Sequence, residues 1–390
     1  MDFIIISTAD WDNPFWTNKQ HIAKTLGDMG HRVLYIDSLG MRPPTATPAD
    51  FKRIFQRLHK LFCGIKHVEN NIWIMSPFSI PLQKYSFIRS INKFILPKMI
   101  NYTAQKLNFK NIILWTYNPL TSYLINNVKN TQSVYHCVDE ISAQPGMPKE
   151  IIKIAEISLL KKADITFVTT LSLLHKKEKY TSTCFYYPNV ADFKHFNLAY
   201  SHHFERPNDL PSNQKPIIGF IGAISGYKQN FKLLAFLAAS CPNYNIVLIG
   251  KIGEGEPQTD YSILKQYSNI ILLGPKNYSD LPQYLSYFCI CILPCCINEY
   301  TKYMFPMKFF EYLSAGKPIV STDIPAIHEF NDYCYIAKTN AEFVFFIKKA
   351  LKEDCAPLQH KRISLASQYT YISRMKKMLE KIVAIKDTSK

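Results

Sequence analysis

Residues 298–322 read NEYTKYMFPMKFFEYLSAGKPIVST. A strand is predicted to end just before this segment, a loop follows, and a helix is predicted to open near Met307. Gly316 ends that helix and Pro318 begins the next strand. The first N–H groups of a helix have no intrahelical partner, so with the helix dipole they favour phosphate or sugar hydroxyls. Glu311 lies one turn into the helix, where its carboxylate could accept hydrogen bonds from a ribose diol.

The alternation of strand and helix runs through the whole chain. Short β-branched segments alternate with longer amphipathic ones, a pattern typical of parallel sheets flanked by helices. The strands predicted in the first half are 3–7, 33–37, 72–75, 112–115, 133–137, 165–168 and 184–187, and those in the second half are 217–222, 246–250, 270–273, 289–293, 318–321 and 334–336. Since 390 residues exceed the usual size of one hydrophobic core, the pattern predicts an α/β protein with two Rossmann-like domains.

A second strand–turn–helix unit carries small residues and a lysine. Residues 217–231 read IIGFIGAISGYKQNF. The turn at Gly222 lets the backbone approach a diphosphate, on which Lys228 can place a positive charge. Lys251, at the end of the next strand, is a candidate second phosphate contact. The alternative for both lysines is an ordinary solvated position in a loop.

Together these two segments resemble the donor-binding region of retaining GT-B glycosyltransferases of the family-four type (glycosyl transferases group 1), in the subgroup of bacterial surface-polysaccharide biosynthesis. The resemblance implies a nucleotide-sugar donor, Glu311 as the ribose ligand, Lys228 on the diphosphate, and N–H contacts from Met307 and Lys308. A second glutamate usual in the family would fall at position 303, where this chain has Tyr303. The remaining donor contacts that we expect from the resemblance are Asn298, Tyr300 and Thr301 in place of that glutamate, Tyr303 itself, and Gly274 and Pro275 beside the nucleotide base.

The resemblance also predicts the domain organisation. We expect an acceptor domain at 1–195, a linker at 196–215, a nucleotide-sugar donor domain at 216–370 and a C-terminal helix at 371–390 that crosses back to the N-terminal domain. The linker is assigned because 196–215 is polar, contains prolines and has no periodicity. A long helical stretch is predicted from about 358 to 385. The two domains would face each other across a cleft, with ligands beyond the carboxyl ends of the strands.

The N-terminal half offers acceptor-binding candidates. The loop after the first strand reads DWDNPFWTNKQH (residues 10–21), and its polar and aromatic residues suit sugar recognition. We predict acceptor contacts from Asp10, Trp11, Asp12 and Asn18. The spacing of Asp10 and Asp12 also occurs in metal sites, but it is common by chance, so no metal ion is expected.

The end of the strand at 133–137 carries two further candidates. His136 and Asp139 are predicted catalytic residues, because a polar side chain here could contact the transferred sugar or orient the acceptor hydroxyl. The alternative is a buried, hydrogen-bonded histidine and a capping aspartate. The clustered cysteines Cys289, Cys291, Cys295 and Cys296 are interpreted as reduced, packed thiols rather than metal ligands.

The charge of the chain predicts an anionic partner. The formal net charge is +16 and the pI is about 9.2, which fits a nucleotide diphosphate, an anionic membrane surface or a nucleic acid. No nucleic-acid-recognition motif supports the last. Residues 51–62 form a basic amphipathic pattern, followed by Lys84, Arg89, Lys93 and Lys98, so this region either lies on a membrane or packs in the core. With neither a signal peptide nor a spanning segment in the sequence, a cytoplasmic location is expected, with peripheral attachment to the inner face of the membrane as an alternative.

The predicted activity is a hexosyltransferase-type transfer from a nucleotide sugar to a glycan or lipid-linked acceptor, with retention and without metal or other cofactor. The alternatives are a nucleotide-sugar isomerase of the same fold, a basic nucleic-acid-binding protein and a non-catalytic partner of another transferase. The nucleotide base, the sugar and the acceptor cannot be read from these residues.

Overall fold

The computed structural model describes residues 1–13, 16–40, 64–69, 71–77 and 86–388. The basic amphipathic pattern at 51–62, and Lys84 after it, lie outside the described residues. The chain divides into two compact units. Unit 1 comprises Met1–Tyr187 and Met375–Lys390, and unit 2 comprises Pro188–Arg374.

Unit 1 is built on an eight-stranded sheet with the order β3-β4-β2-β1-β5-β6-β7-β8. All neighbouring strands are parallel except β3 and β4, which are antiparallel. The strands are β1 (Asp2–Ile6), β2 (Arg32–Ile36), β3 (Ile65–Glu69), β4 (Ile72–Met75), β5 (Ile112–Thr116), β6 (Gln132–Cys137), β7 (Ile165–Val168) and β8 (Cys184–Tyr186). Strands β1, β5, β6 and β7 are buried along their whole length, as expected of strands covered on both faces.

The helices of unit 1 cover this sheet. They are α1 (Asn18–Asp28), α2 (Ser86–Lys106), α3 (Leu124–Asn127), α4 (Lys149–Lys162) and α5 (Leu171–Lys177). A capping box between Thr17 and Gln20 fixes the start of α1. No helix among the described residues is long and apolar enough to cross a bilayer.

Unit 2 has a six-stranded, wholly parallel sheet with the order β11-β10-β9-β12-β13-β14. Its strands are β9 (Ile217–Ile221), β10 (Asn245–Ile249), β11 (Ile270–Gly274), β12 (Ile290–Leu293), β13 (Ile319–Thr322) and β14 (Tyr335–Ala337). The strand order reverses between β9 and β12, which makes this the topological switch point of the sheet. The helices are α6 (Phe193–Ser201), α7 (Phe231–Ser240), α8 (Leu281–Ser286), α9 (Lys308–Ser314), α10 (Asn340–Glu353) and α11 (Ala356–Gln368).

The segment predicted as a linker at 196–215 packs within unit 2. Helix α6 occupies its first residues, and the side chains of Phe196 and Leu210 are buried in the core of the unit. The Asp192 carboxylate accepts a hydrogen bond from the His195 N–H at 3.3 Å and caps α6. The units therefore separate at Tyr187/Pro188, ahead of the predicted boundary.

The predicted C-terminal helix is divided into α11 and a last helix, α12 (Tyr371–Thr388). The break comes at Tyr369, whose carbonyl accepts a hydrogen bond from the Ala191 N–H at 3.2 Å. From Met375 onward α12 belongs to unit 1. There, the Ile382 carbonyl accepts a hydrogen bond from Gln132 Nε2 at 3.0 Å.

Candidate functional site

Two loops meet at the switch point of unit 2, one after β9 and one after β12. The Asn230 N–H donates to the Pro294 carbonyl at 2.7 Å, and the Cys296 N–H donates to the Lys228 carbonyl at 2.8 Å. Asn298 Nδ2 donates to the Tyr227 carbonyl at 2.8 Å. These hydrogen bonds join the two loops into one platform at the place where parallel sheets usually bind ligands.

The loop after β10 joins the same platform. The Ile224 N–H donates to the Lys251 carbonyl at 3.0 Å, and the Tyr227 N–H donates to Glu256 Oε2 at 3.2 Å. The Thr259 hydroxyl donates to the same carboxylate oxygen at 2.6 Å. Sequence reasoning missed Glu256, because nothing in a polar loop indicates which of its glutamates will accept a hydrogen bond from another loop.

Gly222 lies where β9 and β10 end side by side. A Cβ on the neighbouring Gly250 would come within 1.8 Å of the Gly222 carbonyl oxygen, so no larger residue fits there. Both glycines have positive φ, at 157° and 151°. Gly222, at the end of β9, therefore lies where two backbones approach closely, and it opens the turn that carries Lys228.

Lys228 is the cation of this platform. Its side chain is half-buried, and Nζ lies 5.4 Å from the centre of the Tyr227 ring and 5.8 Å from that of Tyr300. The two rings pack edge to face at 5.3 Å. Within the part of the chain that the structure describes, Nζ has neither an ion pair nor a hydrogen bond. Lys251 is exposed at the end of the adjacent strand. An anionic ligand could therefore reach Lys228 without first breaking a salt bridge.

Asn298 and Thr301 hold the second loop in shape. Asn298 Oδ1 accepts hydrogen bonds from the N–H groups of Tyr300 and Thr301, both at 3.0 Å. The Thr301 side chain is completely buried and its hydroxyl donates to the Cys296 carbonyl. The Thr301 hydroxyl therefore holds the loop in shape, which does not favour the predicted donor contact from this side chain. Tyr300 is buried beneath the platform, whereas Tyr303 is half-buried with Lys302 Nζ 5.7 Å from its ring centre.

Glu311 is buried in α9 and forms an ion pair. Its Oε2 lies 2.6 Å from Lys308 Nζ, one turn earlier in the helix. Burial raises the pKa of Tyr278, and the nearby negative charge of Glu311 raises it further. Glu311 is therefore a buried residue of α9 and not a solvated side chain at the surface. A buried carboxylate with one cationic partner retains oxygen lone pairs for further donors.

Helix α9 begins at Lys308, with Met307 as its N-cap, one residue later than predicted. Among the described residues, the N–H groups of Met307 and Lys308 donate to no acceptor outside the helix. Gly274 ends β11 with a φ of 69°, and its carbonyl accepts a hydrogen bond from the Gly250 N–H at 2.9 Å. Pro275 follows on the surface, so this turn presents mainly backbone groups.

His136 lies in the core of unit 1. Its ring is completely buried and packs against the rings of Trp115, Tyr117 and Phe167, with centroid distances of 5.6, 5.0 and 6.3 Å. Nδ1 lies 3.3 Å from the Tyr117 hydroxyl. This burial does not favour the predicted catalytic role of His136, because every residue of β6 is buried between layers and this side chain does not reach the surface of unit 1.

A buried ionic cluster follows β6. Lys177 Nζ lies 2.9 Å from Glu140 Oε2 and 2.6 Å from Glu156 Oε2, and all three side chains are buried. Burial would raise the pKa of Glu140, but the nearby charge of Lys177 prevails and holds that pKa below its ordinary value of 4.5. Asp139 precedes this cluster and is half-buried. Sequence reasoning missed the cluster, because its members come from separate elements.

The loop after β1 is held by hydrogen bonds and rings. The Trp11 N–H donates to Asp37 Oδ1 at 2.9 Å, and its ring lies between those of Trp16 and Tyr35 at 5.1 and 5.2 Å. Asp10 Oδ1 accepts a hydrogen bond from the Ser38 N–H at 3.1 Å.

The other two acceptor candidates differ in exposure, since Asp12 is exposed while Asn18 is buried in the first turn of α1. Of the predicted four, Trp11 and Asp12 are therefore better placed to meet a ligand than Asn18. A search of the described residues finds no group of three or more His, Cys, Asp or Glu side chains that could hold a metal ion.

Known proteins resemble this chain in sequence and in fold. Residues 215–352 match the family described as glycosyl transferases group 1. Bacillus subtilis TuaH, named as a glycosyltransferase of teichuronic acid biosynthesis, is 27% identical over 242 residues, which cover 59% of this chain and 60% of TuaH. The match thus spans less than two thirds of that relative's length.

Solved structures match nearly the whole chain. The α,α-trehalose 6-phosphate synthase of Burkholderia multivorans superposes with a TM-score of 0.70 at 10% identity, covering 100% of this chain and 99% of its own. Anabaena HepE in complex with UDP gives a TM-score of 0.66 at 13% identity, covering 98% and 99%. These likenesses confirm the predicted fold of two Rossmann-like sheets, which is the GT-B fold.

Proposed function

We propose that this protein is a nucleotide-sugar-dependent glycosyltransferase, because residues 215–352 match the family described as glycosyl transferases group 1 and the chain has the GT-B fold. The observation that carries the proposal is the platform of unit 2. It combines a half-buried Lys228 with no carboxylate partner in the described ranges and a buried Glu311 on the helix that follows the second loop.

The proposed reaction places its developing charge on the departing nucleotide diphosphate. Lys228, the N–H groups of Met307 and Lys308, and the more exposed Lys251 would stabilise that charge without a metal ion, an effect of preorganised electrostatics. Glu311 would accept hydrogen bonds from the ribose diol while its ion pair with Lys308 holds the carboxylate in place.

Bond changes in the proposed step balance without a side-chain nucleophile. The acceptor oxygen forms a bond to the anomeric carbon while the bond from that carbon to the diphosphate oxygen breaks, with retention of configuration. The acceptor proton passes to an oxygen of the departing phosphate. The burial of His136 fits this scheme, since that side chain is not available as a base.

We further propose that the acceptor is a glycan or a lipid-linked glycan of a cell-surface polysaccharide. Support comes from the resemblance to TuaH, whose name assigns it to teichuronic acid synthesis. The structure of HepE with UDP makes UDP the first nucleotide to examine.

Isothermal titration calorimetry with UDP, GDP, dTDP and ADP tests the donor site. We expect selective binding of one nucleotide, unchanged by EDTA and at least about tenfold weaker in Glu311→Ala, equivalent to roughly 1.4 kcal/mol. Glu353→Ala, at the end of α10 in the same unit, is the matched control and should bind as the wild type does. Absence of binding to all four nucleotides, or equal binding by Glu311→Ala, would contradict the proposal.

Donor turnover without acceptor separates transfer from isomerisation. A transferase should release nucleotide rapidly only when a glycan acceptor is present. Rapid conversion of the nucleotide sugar into an isomer with no acceptor added would overturn the transfer reaction while leaving the nucleotide site intact.

A further inference from the structure

Helix α10 of unit 2 has a buried face and an exposed face. Phe343, Val344 and Ile347 are buried in the core that also contains Leu233 and Leu237 of α7. The two helices therefore pack against each other on the sheet of unit 2. Because this packing fixes both helices, their outer sides form one rigid surface.

The outer sides of α7 and α10 carry exposed aromatic rings. The exposed fractions are 60% for Phe345 on α10 and 41% for Phe236 on α7. The Phe345 ring also lies 5.5 Å from the ring of the half-buried Phe346. Single exposed apolar side chains are ordinary on protein surfaces, but aromatic rings are enriched where proteins contact one another. A surface with these rings is therefore a candidate protein interface.

The charges along the outer side of α10 alternate in sign. Glu342, Phe345, Lys349 and Glu353 follow one another at spacings of three and four residues, which places them on one side of the helix. All four are exposed, and we call them the α10 stripe. The exposed Lys338 precedes the helix at the same end as Glu342. Lys349 Nζ lies 3.8 Å from Glu353 Oε1, a long and exposed pair that leaves both groups accessible to other charges.

This order of charges is complementary to itself when it is reversed. In two antiparallel copies of α10, the register that places Glu342 opposite Lys349 also places Glu353 opposite Lys338. The same register brings the two Phe345 side chains close to the two-fold axis, and the axis repeats each ion pair in the second half of the contact. Complementary charges of this kind select a partner and its orientation more than they add to affinity.

We propose that the α10 stripe is the interface at which two copies of this chain associate. The rings of Phe236 and Phe345 would form the apolar centre, and the ion pairs would flank it. Helix α10 has 14 residues and is about 21 Å long. The contact area would therefore be at the small end of specific interfaces, and we expect a dissociation constant in the micromolar range. This association goes beyond the proposed transfer reaction and does not depend on it.

The charges of the neighbouring residues favour a second copy over lipid or nucleic acid. Lys348 and Lys352 on α10 and Lys232 on α7 are also exposed, so the surface has more lysines than acids. An anionic surface would attract these lysines but would repel Glu342 and Glu353, which belong to the stripe itself. A second copy pairs both acids with lysines, and salt screens the repulsion among the lysines that remain.

Sedimentation velocity of the full chain tests the association. Wild type should shift from monomer to dimer as its concentration rises from about 1 to 100 µM. Phe236→Ser/Phe345→Ser should remain monomeric over that range, because it removes the apolar centre. Lys349→Glu alone and Glu342→Lys alone should each raise the dissociation constant at least about tenfold, because each places like charges opposite one another twice.

A mixture of the two charge variants is the sharpest measurement. In a mixed dimer of Lys349→Glu with Glu342→Lys, both contacts again join opposite charges, so the mixture should dimerise although neither variant alone does. Glu342 also caps α10, where its Oε2 accepts a hydrogen bond from the Lys338 N–H at 2.7 Å, so the thermal midpoint of Glu342→Lys is measured first. Lys338→Glu mixed with Glu353→Lys gives the same test at the other ion pair and keeps the carboxylate that caps the helix.

Matched controls lie on α6 of the same unit. Leu198 is 42% exposed and Lys194 is exposed on the same helix, so Leu198→Ser and Lys194→Glu should associate as the wild type does. A wild type that stays monomeric up to about 100 µM would overturn the proposal. So would a dimer that Phe236→Ser/Phe345→Ser does not weaken, failure of both mixtures to recover association, or a monomer that binds phosphatidylglycerol vesicles through these two rings. Nucleotide calorimetry should give the same result for all these variants, because none of the substituted residues belongs to the platform, and a chain that dimerises without binding nucleotide would refute only the transferase.

Discussion

The loop after β6 in unit 1 and the platform after β9 and β12 in unit 2 use charge in opposite ways. In unit 1, the buried Lys177 forms ion pairs with the buried Glu140 and Glu156, and Lys176 pairs with Glu140 as well. In unit 2, Lys228 is half-buried beside two rings, and the described residues supply no carboxylate to pair with it. A neutralised buried cluster holds a fold together, whereas an unneutralised cation at a switch point is suited to an incoming anion. Substitutions in the two regions should therefore affect different quantities.

The largest effect is expected from breaking the neutralised cluster. Lys177→Met removes the cation that is bonded to Glu156 and one of the two that are bonded to Glu140, so the free energy of unfolding should fall by about 3–5 kcal/mol. Guanidinium unfolding followed by circular dichroism measures the loss. Lys161→Met, on the exposed face of α4, should unfold as the wild type does. A loss below about 1 kcal/mol would show that the cluster does not stabilise unit 1.

The same cluster predicts a dependence of stability on pH. The pKa of Glu140 is lower in the folded chain than its ordinary 4.5, so its contribution is present above that value and is lost as pH falls through the folded pKa. In Lys177→Met the pKa of Glu140 should rise, because burial remains while the charge of Lys177 is lost, leaving Lys176 and the Ser142 hydroxyl to oppose it. Acid unfolding of the variant should therefore begin at a higher pH than that of the wild type, as a pH titration of tryptophan fluorescence would show.

Much of the fold could be predicted, because buried parallel strands are short apolar runs that the sequence displays directly. The predicted ends of most strands differ from the observed ends by one residue. Strand β3 was missed because Lys66, His67 and Glu69 interrupt its apolar pattern, and it is an edge strand with exposed residues. The break before α12 was missed because it depends on a bond between Tyr369 and Ala191, far apart in the sequence.

The positions of site residues could be predicted from the sequence only where strand ends determine them. Gly222 and Lys228 follow β9 and Gly274 is the last residue of β11, so their positions at the end of the sheet follow from strand boundaries. His136 also ends a strand, but whether such a side chain is covered depends on rings from neighbouring strands. Glu256 was missed for the same reason, since its partner Tyr227 belongs to another loop.

The next largest effect should come from the platform cation. Lys228→Ala removes the charge nearest the proposed diphosphate site, so transfer should fall at least about tenfold, or roughly 1.4 kcal/mol, without a change in the thermal midpoint. A coupled assay of nucleotide release measures the rate. Lys348→Ala, exposed on α10, is the control for a lost lysine. Activity of Lys228→Ala within twofold of the wild type would remove Lys228 from the site.

A smaller effect is expected from the residue that joins the two loops. Asn298→Ala removes the bond to the Tyr227 carbonyl and the acceptor for the Tyr300 and Thr301 N–H groups. Exposed hydrogen bonds of this kind contribute about 0.5–1.5 kcal/mol each. Nucleotide affinity should fall several-fold because the platform loosens, and calorimetry measures it. Asn298→Asp retains the acceptor oxygen and should lose less, whereas equal losses would show that the amide donor alone matters.

The smallest effect should come from removing a charge while keeping its hydrogen bonds. Glu256 accepts from the Tyr227 N–H beside Lys228, so its negative charge opposes an arriving diphosphate. Glu256→Gln keeps an acceptor oxygen for that N–H and removes the charge. Nucleotide should then bind about two- to threefold more tightly at low salt, a gain that screening removes at high salt. Glu254→Gln, in the same loop, is the control because its backbone carbonyl rather than its carboxylate meets the turn, at Ser225. A weaker affinity in Glu256→Gln would mean that the carboxylate orders the turn more than it repels the ligand, and the platform would then need its acid as much as its lysine.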